Sequence, residues 1–166
     1  MPLRPRTYCE VKAASINTAK AEFKERPMTD RTPLSPEDAL VAIMVAVSVS
    51  DEAIQTSELV KIQGIVNNLP VFGQYDLDRM REMASFVFEL FEEEDGLDAL
   101  FGMVSDVLPD KLHETAYALA CDVAAADGRL DQIELRFLEE MRHAMNIDRL
   151  AAAAIERGSR ARHTTL

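Results

Sequence analysis

Two turns of this chain place carboxylates at a spacing that suits a hard cation. Asp51 and Glu58 form the first pair, and Asp127 and Glu134 form the second, with Asp131 between them. In each turn the glutamate follows the aspartate by seven positions, as position 12 follows position 5 in an EF-hand calcium loop. Carboxylate oxygens are the ligands that Ca²⁺ and Mg²⁺ prefer. The pattern therefore indicates a site for a divalent cation.

A standard EF-hand is excluded in the second turn. Positions 1 and 3 of such a loop would fall on Val123 and Ala125, which offer no side-chain oxygen. What remains is a partial ligand set of carboxylates, a backbone carbonyl such as that of Arg129, and water. The first turn is poorer still, because Glu52 and Gln55 stand where the second turn has a glycine and an aspartate. A site of this kind would hold its ion weakly.

A second interpretation of the same acids needs no ligand. Gly128 would end one helix, Asp131 would cap the next, and Glu134 would complete a capping box, each device worth about 1 kcal/mol. Capping does not explain why Asp51 and Asp127 both end a nearly apolar helix, where the helix dipole disfavours a carboxylate. Either a cation or hydrogen bonds from the first amides of the next helix would compensate, and both interpretations stay open.

The two turns belong to an internal repeat with an offset of 76 positions. Val47 aligns with Val123 in the helix before each turn, and Leu59 aligns with Leu135 in the helix after it. A repeat of this length predicts two similar helical units that bury their apolar faces on each other.

Hydrophobic periodicity predicts helices along the whole body and no strands. The first of these helices is apolar nearly all round, which is typical of a buried central helix. The predicted fold class is all-α, a seven-helix bundle of two pseudo-twofold three-helix units joined by a linking helix. The predicted helices cover about 35–50, 56–68, 76–94, 97–108, 110–126, 132–145 and 149–158.

The ends of the chain differ from this body. Residues 1–34 lack a persistent apolar stripe and hold four of the seven prolines, so they are predicted to be a mobile leader. One hypothesis is that translation starts at Met28, within this segment. The helical domain is predicted over 35–157, and residues 158–166 read as a polar, basic tail.

The charge and the motif content exclude several function classes. The net charge is −11, and residues 1–27 are basic, which leaves −14 for residues 28–166 and makes nucleic acid a poor partner. Apolar runs are too short for a membrane span, and the absence of a signal sequence predicts a cytoplasmic protein. Neither a nucleophile elbow, a phosphate loop, a zinc signature nor a dinucleotide fingerprint occurs. These observations predict a non-enzymatic protein without an organic cofactor.

Other polar residues have plain structural interpretations. Cys121 is expected to be a small buried hydrophobe, and His113 and His143 are expected to face solvent. Asp122 interrupts an apolar helix, where it would pair with Arg129, line the acidic turn or simply be exposed.

The run Ala-Ala-Ala-Asp127-Gly128, with Glu134 in the helix that follows, resembles the tellurite-resistance TerB family over residues 35–157. The resemblance implies an all-helical cytoplasmic fold with two pseudo-symmetric halves, and a link with tellurite and other chemical stress. It also implies a cation site at the acidic turns. Asp127 and Glu134 match the family's motif, Asp51 and Glu58 match it in the weaker first copy, and Asp131 is included as a neighbour.

The prediction is thus a TerB-like stress-response protein with other proteins as partners. Its paired acidic turns would bind a divalent cation, whether Ca²⁺, Mg²⁺, Mn²⁺ or Zn²⁺. The alternative is a metal-free structural module for protein–protein interaction, in which the same acids only cap helices.

Overall fold

The computed structural model describes residues 33–49, 56–73, 75–127 and 132–166. Nearly all of the predicted leader over 1–34, including Met28, lies outside these residues. The described part contains helices and no strand, and none of its helices is long and apolar enough to cross a membrane. Its seven α-helices, in chain order, are α1 (Pro36–Val49), α2 (Thr56–Asn68), α3 (Leu77–Leu90), α4 (Gly96–Val107), α5 (His113–Ala124), α6 (Gln132–Ala144) and α7 (Arg149–Arg162). The all-α prediction and the number of helices are therefore confirmed.

Helix α1 is the centre of the core. Every side chain from Ala39 to Val47 is buried, and α2, α3, α4 and α5 all pack against it. Its buried polar groups are few: the hydroxyl of Ser48 donates to the carbonyl of Met44 within the helix, 3.2 Å away, and Asp38 is buried at the other end. The prediction of a buried central helix is confirmed.

The N-terminus of α1 is fixed by a reciprocal capping pair. The amide of Asp38 donates to the Ser35 hydroxyl at 3.1 Å, and the Ser35 amide donates to the Asp38 carboxylate at 3.0 Å. The same carboxylate accepts from the Tyr75 hydroxyl at 2.5 Å, and from Nε and Nη2 of Arg79 at 3.0 Å each. The residues Ser-Pro-Glu-Asp over 35–38 are typical of a helix start, but no local pattern indicates that Asp38 is buried. This one carboxylate joins α1 to α3.

The electrostatics of Asp38 follow from these contacts. Burial alone would raise the pKa of the Asp38 carboxyl. The hydrogen bonds from Arg79, Tyr75 and Ser35, together with the charge of Arg79, outweigh burial and hold that pKa below its ordinary value. Asp38 is therefore ionised at neutral pH and fully hydrogen-bonded.

Helix α5 is the second centre of packing. It lies against α1 and α2, and it also carries α6 and α7. Helix α6 reaches α4 through Phe101 and Phe137, whose ring centroids are 5.4 Å apart. The offset of 76 positions carries α2 onto the bounds of α6, while the pseudo-twofold relation between the two units stays a prediction.

Two helix ends differ by about a full turn from those predicted from the sequence. Helix α3 ends at Leu90 rather than near Glu94, and Gly96 then starts α4 where a Cβ atom would lie 2.2 Å from the Leu90 carbonyl oxygen. Helix α7 continues past the expected stop at Gly158 to Arg162. The extra turn is held because Ser159 is buried and its hydroxyl donates to the Cys121 carbonyl at 3.0 Å. The residues after 158 are thus partly helical and packed.

Removal of the Asp38 carboxylate should destabilise the fold. We expect Asp38→Ala to lower the free energy of unfolding by about 2–3 kcal/mol, since Arg79 and Tyr75 lose their partner. Asp78→Ala is the control, because Asp78 pairs only at the surface with Arg81, and it should cost less than about 1 kcal/mol. Urea denaturation measures both, and equal losses would contradict the role given to Asp38.

Asp38 should also make the free energy of unfolding depend on pH. Because the pKa of Asp38 is lower in the folded than in the unfolded chain, its contribution is complete above about pH 4. It is lost as the pH falls through the folded-state pKa. The difference in unfolding free energy between wild type and Asp38→Asn should therefore shrink below about pH 4.

The last turn of α7 should matter for stability in the same way. A chain that ends at Gly158 should lose about 1–3 kcal/mol of unfolding free energy, because the buried hydrogen bond of Ser159 disappears and Asp122 loses the ion pair with Arg162. A chain that ends at His163 keeps α7 and should lie within about 0.5 kcal/mol of wild type. Thermal or urea unfolding measures the stability of both truncated chains. Equal stabilities would mean that residues 159–163 do not pack against the domain.

Candidate functional site

The structure describes some of the predicted cation ligands but not others. Asp51 and Asp131 lie outside the described residues. Glu58 is in the first turn of α2, and Asp127 ends a short 3₁₀ helix, Ala125–Asp127, but the side chains of both lie outside the described part. Glu134, in the first turn of α6, is half-buried. Convergence of the five carboxylates therefore stays a prediction.

The backbone around the second turn is better defined. Helix α5 continues directly into the 3₁₀ helix that ends at Asp127, and after four intervening residues α6 begins at Gln132. Asp127 thus stands at the negative end of one helix, where a carboxylate is disfavoured, and Glu134 stands at the positive end of the next, where it is favoured. This is the placement on which the cation hypothesis depends, and it suits a capping role for Glu134 equally well.

Among the described residues, no group of three or more histidine, cysteine or acidic side chains is placed to hold a metal ion. The described part includes the side chain of Glu134 but not those of the other four predicted ligands. The finding therefore bears on the rest of the body and not on the acidic turns.

A groove with a volume of about 590 Å³ lies between α5, α6 and α7. Tyr117, Cys121 and Ala125 of α5 and its 3₁₀ extension form its floor. Leu135 and other residues of one face of α6 form one wall, and α7 with the residues after it forms the other. Since Leu135 directly follows Glu134, the groove opens beside the acidic turn.

Comparison with known proteins identifies the family. A family model described as "Tellurite resistance protein TerB" matches residues 37–157, most of the chain. This chain belongs to the TerB family. No curated protein and no solved structure matches it significantly.

The TerB domain of this chain uses several polar residues to join its helices. Asp122 does not line the groove. Its carboxylate accepts a hydrogen bond from Nη2 of Arg162 at 2.5 Å. Arg129, the partner predicted from the sequence, lies outside the described residues. His113 is half-buried, with Nδ1 3.2 Å from the Met145 carbonyl and Nε2 3.3 Å from the Leu108 carbonyl. The prediction of a solvent-facing ring is therefore wrong for His113. It is right for His143, which is exposed.

The polar contact on the floor of the groove has no signal in the local sequence. Tyr117 is buried, and its hydroxyl donates to the carboxylate of Glu156 at 2.7 Å, 39 positions further along the chain. Burial and then this hydrogen bond raise the pKa of Tyr117 far above its ordinary value. No local pattern could have shown the pair, because its members lie on different helices.

Cys121, which lies beside Tyr117, is a buried thiol as predicted. Burial, with the nearby charges of Glu156 and Asp122, raises the pKa of Cys121 to about 12. At neutral pH the thiol is therefore protonated and a poor nucleophile. The groove floor offers hydrogen-bonding and apolar contact rather than a reactive group.

The thiol of Cys121 should therefore be unreactive in the folded protein. The other cysteine of the chain, Cys9, is first replaced by serine so that only Cys121 can react. In this variant, Ellman's reagent at pH 8 should modify the native protein at least about 100-fold more slowly than the urea-unfolded protein, because burial suppresses the thiolate. The unfolded chain is the internal control for the reagent. Equal rates in the two states would mean that the groove exposes the sulfur.

Proposed function

We propose that this TerB-family chain is a non-enzymatic, cytoplasmic protein of the response to tellurite and other chemical stress, and that it binds a divalent cation at its acidic turns. The observation that carries the proposal is the helix end at Asp127 followed so closely by the helix start that bears Glu134. The family membership supports the link with chemical stress.

Negative charge accumulates along the second turn. The carbonyl groups at the end of α5 and its 3₁₀ extension leave negative partial charge where Asp127 adds a full one. Asp131 and Glu134 follow within seven positions, so the sequence brings further negative charge to the same stretch of chain. A divalent cation would neutralise this charge and use both carbonyl and carboxylate oxygens, which are its preferred ligands.

The second turn should be the stronger of the two. It has a glycine at position 128 and an aspartate at position 131, where the first turn has Glu52 and Gln55. Glycine turns the chain at little steric cost, and Asp131 adds a carboxylate that Gln55 does not supply.

Cation binding at this turn would steady a surface for partner proteins. Ile133, which precedes Glu134, is 54% exposed although it is large and apolar. An exposed apolar side chain beside a metal-ordered turn is a suitable contact for another protein. The ion would act on binding by holding the start of α6 in one position.

A metal-free interaction module is the alternative, and the place of Glu134 favours it. A glutamate in the first turn of a helix, three residues after an aspartate, suits a capping box without any ion. The exposed Ile133 would then serve partner proteins without an ion.

Calorimetric titration of chelator-treated protein distinguishes the two functions. We expect Ca²⁺, Mg²⁺, Mn²⁺ or Zn²⁺ to produce saturable heat and to raise the melting temperature. Asp127→Asn should weaken that binding at least about tenfold, and Asp51→Asn should weaken it less, since a lost charged ligand costs about 1.5–3 kcal/mol.

Asp95→Asn is the matched control, because Asp95 is an exposed acid in the turn between α3 and α4. It should leave the affinity unchanged. Absence of both heat and thermal shift with all four ions would leave the metal-free module, and equal effects of Asp127→Asn and Asp95→Asn would show that the ligands are wrongly assigned.

A further inference from the structure

The groove between α5, α6 and α7 has the form of a small-molecule site. Its floor residues Tyr117, Cys121 and Ala125 are spaced by four positions, so they form one stripe about 12 Å long. A cavity of about 590 Å³ falls within the range of 300–1,000 Å³ that is usual for small ligands.

Apolar contact is concentrated at the end of the groove nearest the acidic turn. Leu135 and Leu138 of α6 face this space together with Ala125. Leu138 is buried, but Leu135 remains half exposed, which is costly for a large aliphatic side chain unless something covers it. The apolar part could cover an aliphatic chain.

Positively charged side chains line the groove on two helices. Arg142 lies on α6 and Arg160 on α7. The side chains of His163 and Thr164, further along the α7 wall, already bond to backbone carbonyls of α7.

The lining also holds two acids, Glu139 of α6 and Glu156 of α7, and Glu156 accepts a hydrogen bond from the Tyr117 hydroxyl. The guanidinium of Arg160 pairs with no carboxylate among the described residues.

The charge of α7 sets it apart from the rest of the chain. Residues 149–166 contain four arginines against the single acid Glu156, whereas the whole chain has a net charge of −11. An anion repelled by most of the body would therefore be attracted to this helix. The guanidinium group also matches a carboxylate geometrically, through paired hydrogen bonds.

We propose that this groove binds a small amphipathic carboxylate, with its aliphatic chain over Leu135 and Leu138 and its carboxylate at Arg160. The inference does not depend on cation binding at the acidic turn. A carboxylate head accounts for the charge of Arg160 on the α7 wall, and an aliphatic body accounts for the half-exposed Leu135 on the α6 wall. The ligand class is thus defined by the two facing walls of the groove.

Titration with decanoate tests the proposal, with 1-decanol and decylammonium as probes of equal chain length. Decanoate should bind with one molecule per chain, and both other probes should bind at least about tenfold more weakly, because they lack the charge-assisted hydrogen bonds. Isothermal calorimetry on the full chain, in chelator and below the micelle concentration, measures all three affinities.

Two matched pairs of variants locate the site. Arg160→Glu should weaken decanoate binding at least about tenfold, and Arg149→Glu, the same charge change on the same helix outside the groove, less than about twofold. Leu135→Asn should weaken it, whereas Leu150→Asn, at an exposed leucine away from the groove, should not. All four positions are at least half exposed or carry exposed charges, so the variants should fold, and their melting curves verify it.

Three results would overturn the proposal. One is the absence of saturable decanoate binding to wild-type protein. Another is equal affinity for decanoate and 1-decanol, which would make the carboxylate irrelevant. The third is equal weakening by Arg160→Glu and Arg149→Glu, which would reduce the effect to overall charge. Because each titration is done in chelator, failure here leaves the cation proposal unaffected, and failure of the cation titration leaves the groove unaffected.

Discussion

Complete burial of α1 is the constraint on which the rest of the structure depends. A helix without a polar face must be covered on all sides. Helices α2, α3, α4 and α5 therefore surround α1 and remove its apolar side chains from water. Its one buried charge, Asp38, sits at the N-terminal end, where the helix dipole and the Ser35 amide already favour an anion. Arg79 and Tyr75 complete its hydrogen bonding. A buried ion pair contributes little net stability, but a placement of α3 that left Asp38 without Arg79 would be costly.

In the second half of the chain, one helix, α5, supports both candidate sites. Helix α5 buries one side against α1 and carries α6 and α7 on its other sides, so the space between those two helices is floored by α5. The 3₁₀ extension of the same helix leads to the acidic turn at Asp127. Both candidate sites therefore lie along one helix, the groove on its side and the turn at its end, and neither requires the core to move.

Local sequence patterns sufficed for most of the fold. Apolar periodicity and end signals predicted the bounds of α2 and the burial of α1, because both follow from residues close together in the chain. They failed at Gly158, where tertiary burial of Ser159 outweighs the tendency of glycine to end a helix. They could not reveal the contacts of Asp38 with Tyr75 and Arg79, which lie 37 and 41 positions away. The groove was missed for the same reason, since three helices form it. Of the predicted cation ligands, only the side chain of Glu134 lies within the described part, so that site rests on sequence and on the helix ends.

The environments of the two copies explain why function should be sought in the second. Ala46 in α1 is completely buried, whereas Asp122, which the repeat aligns with it, is partly exposed and pairs with Arg162. A charged residue at that position is tolerated only where the helix has a side open to water. Helix α1 of the first copy is thus buried on all sides, whereas α5, the matching helix of the second copy, keeps one side accessible to water beneath α6 and α7. A ligand or an ion that exchanges with solvent needs such an open side, and in this chain α5 supplies it.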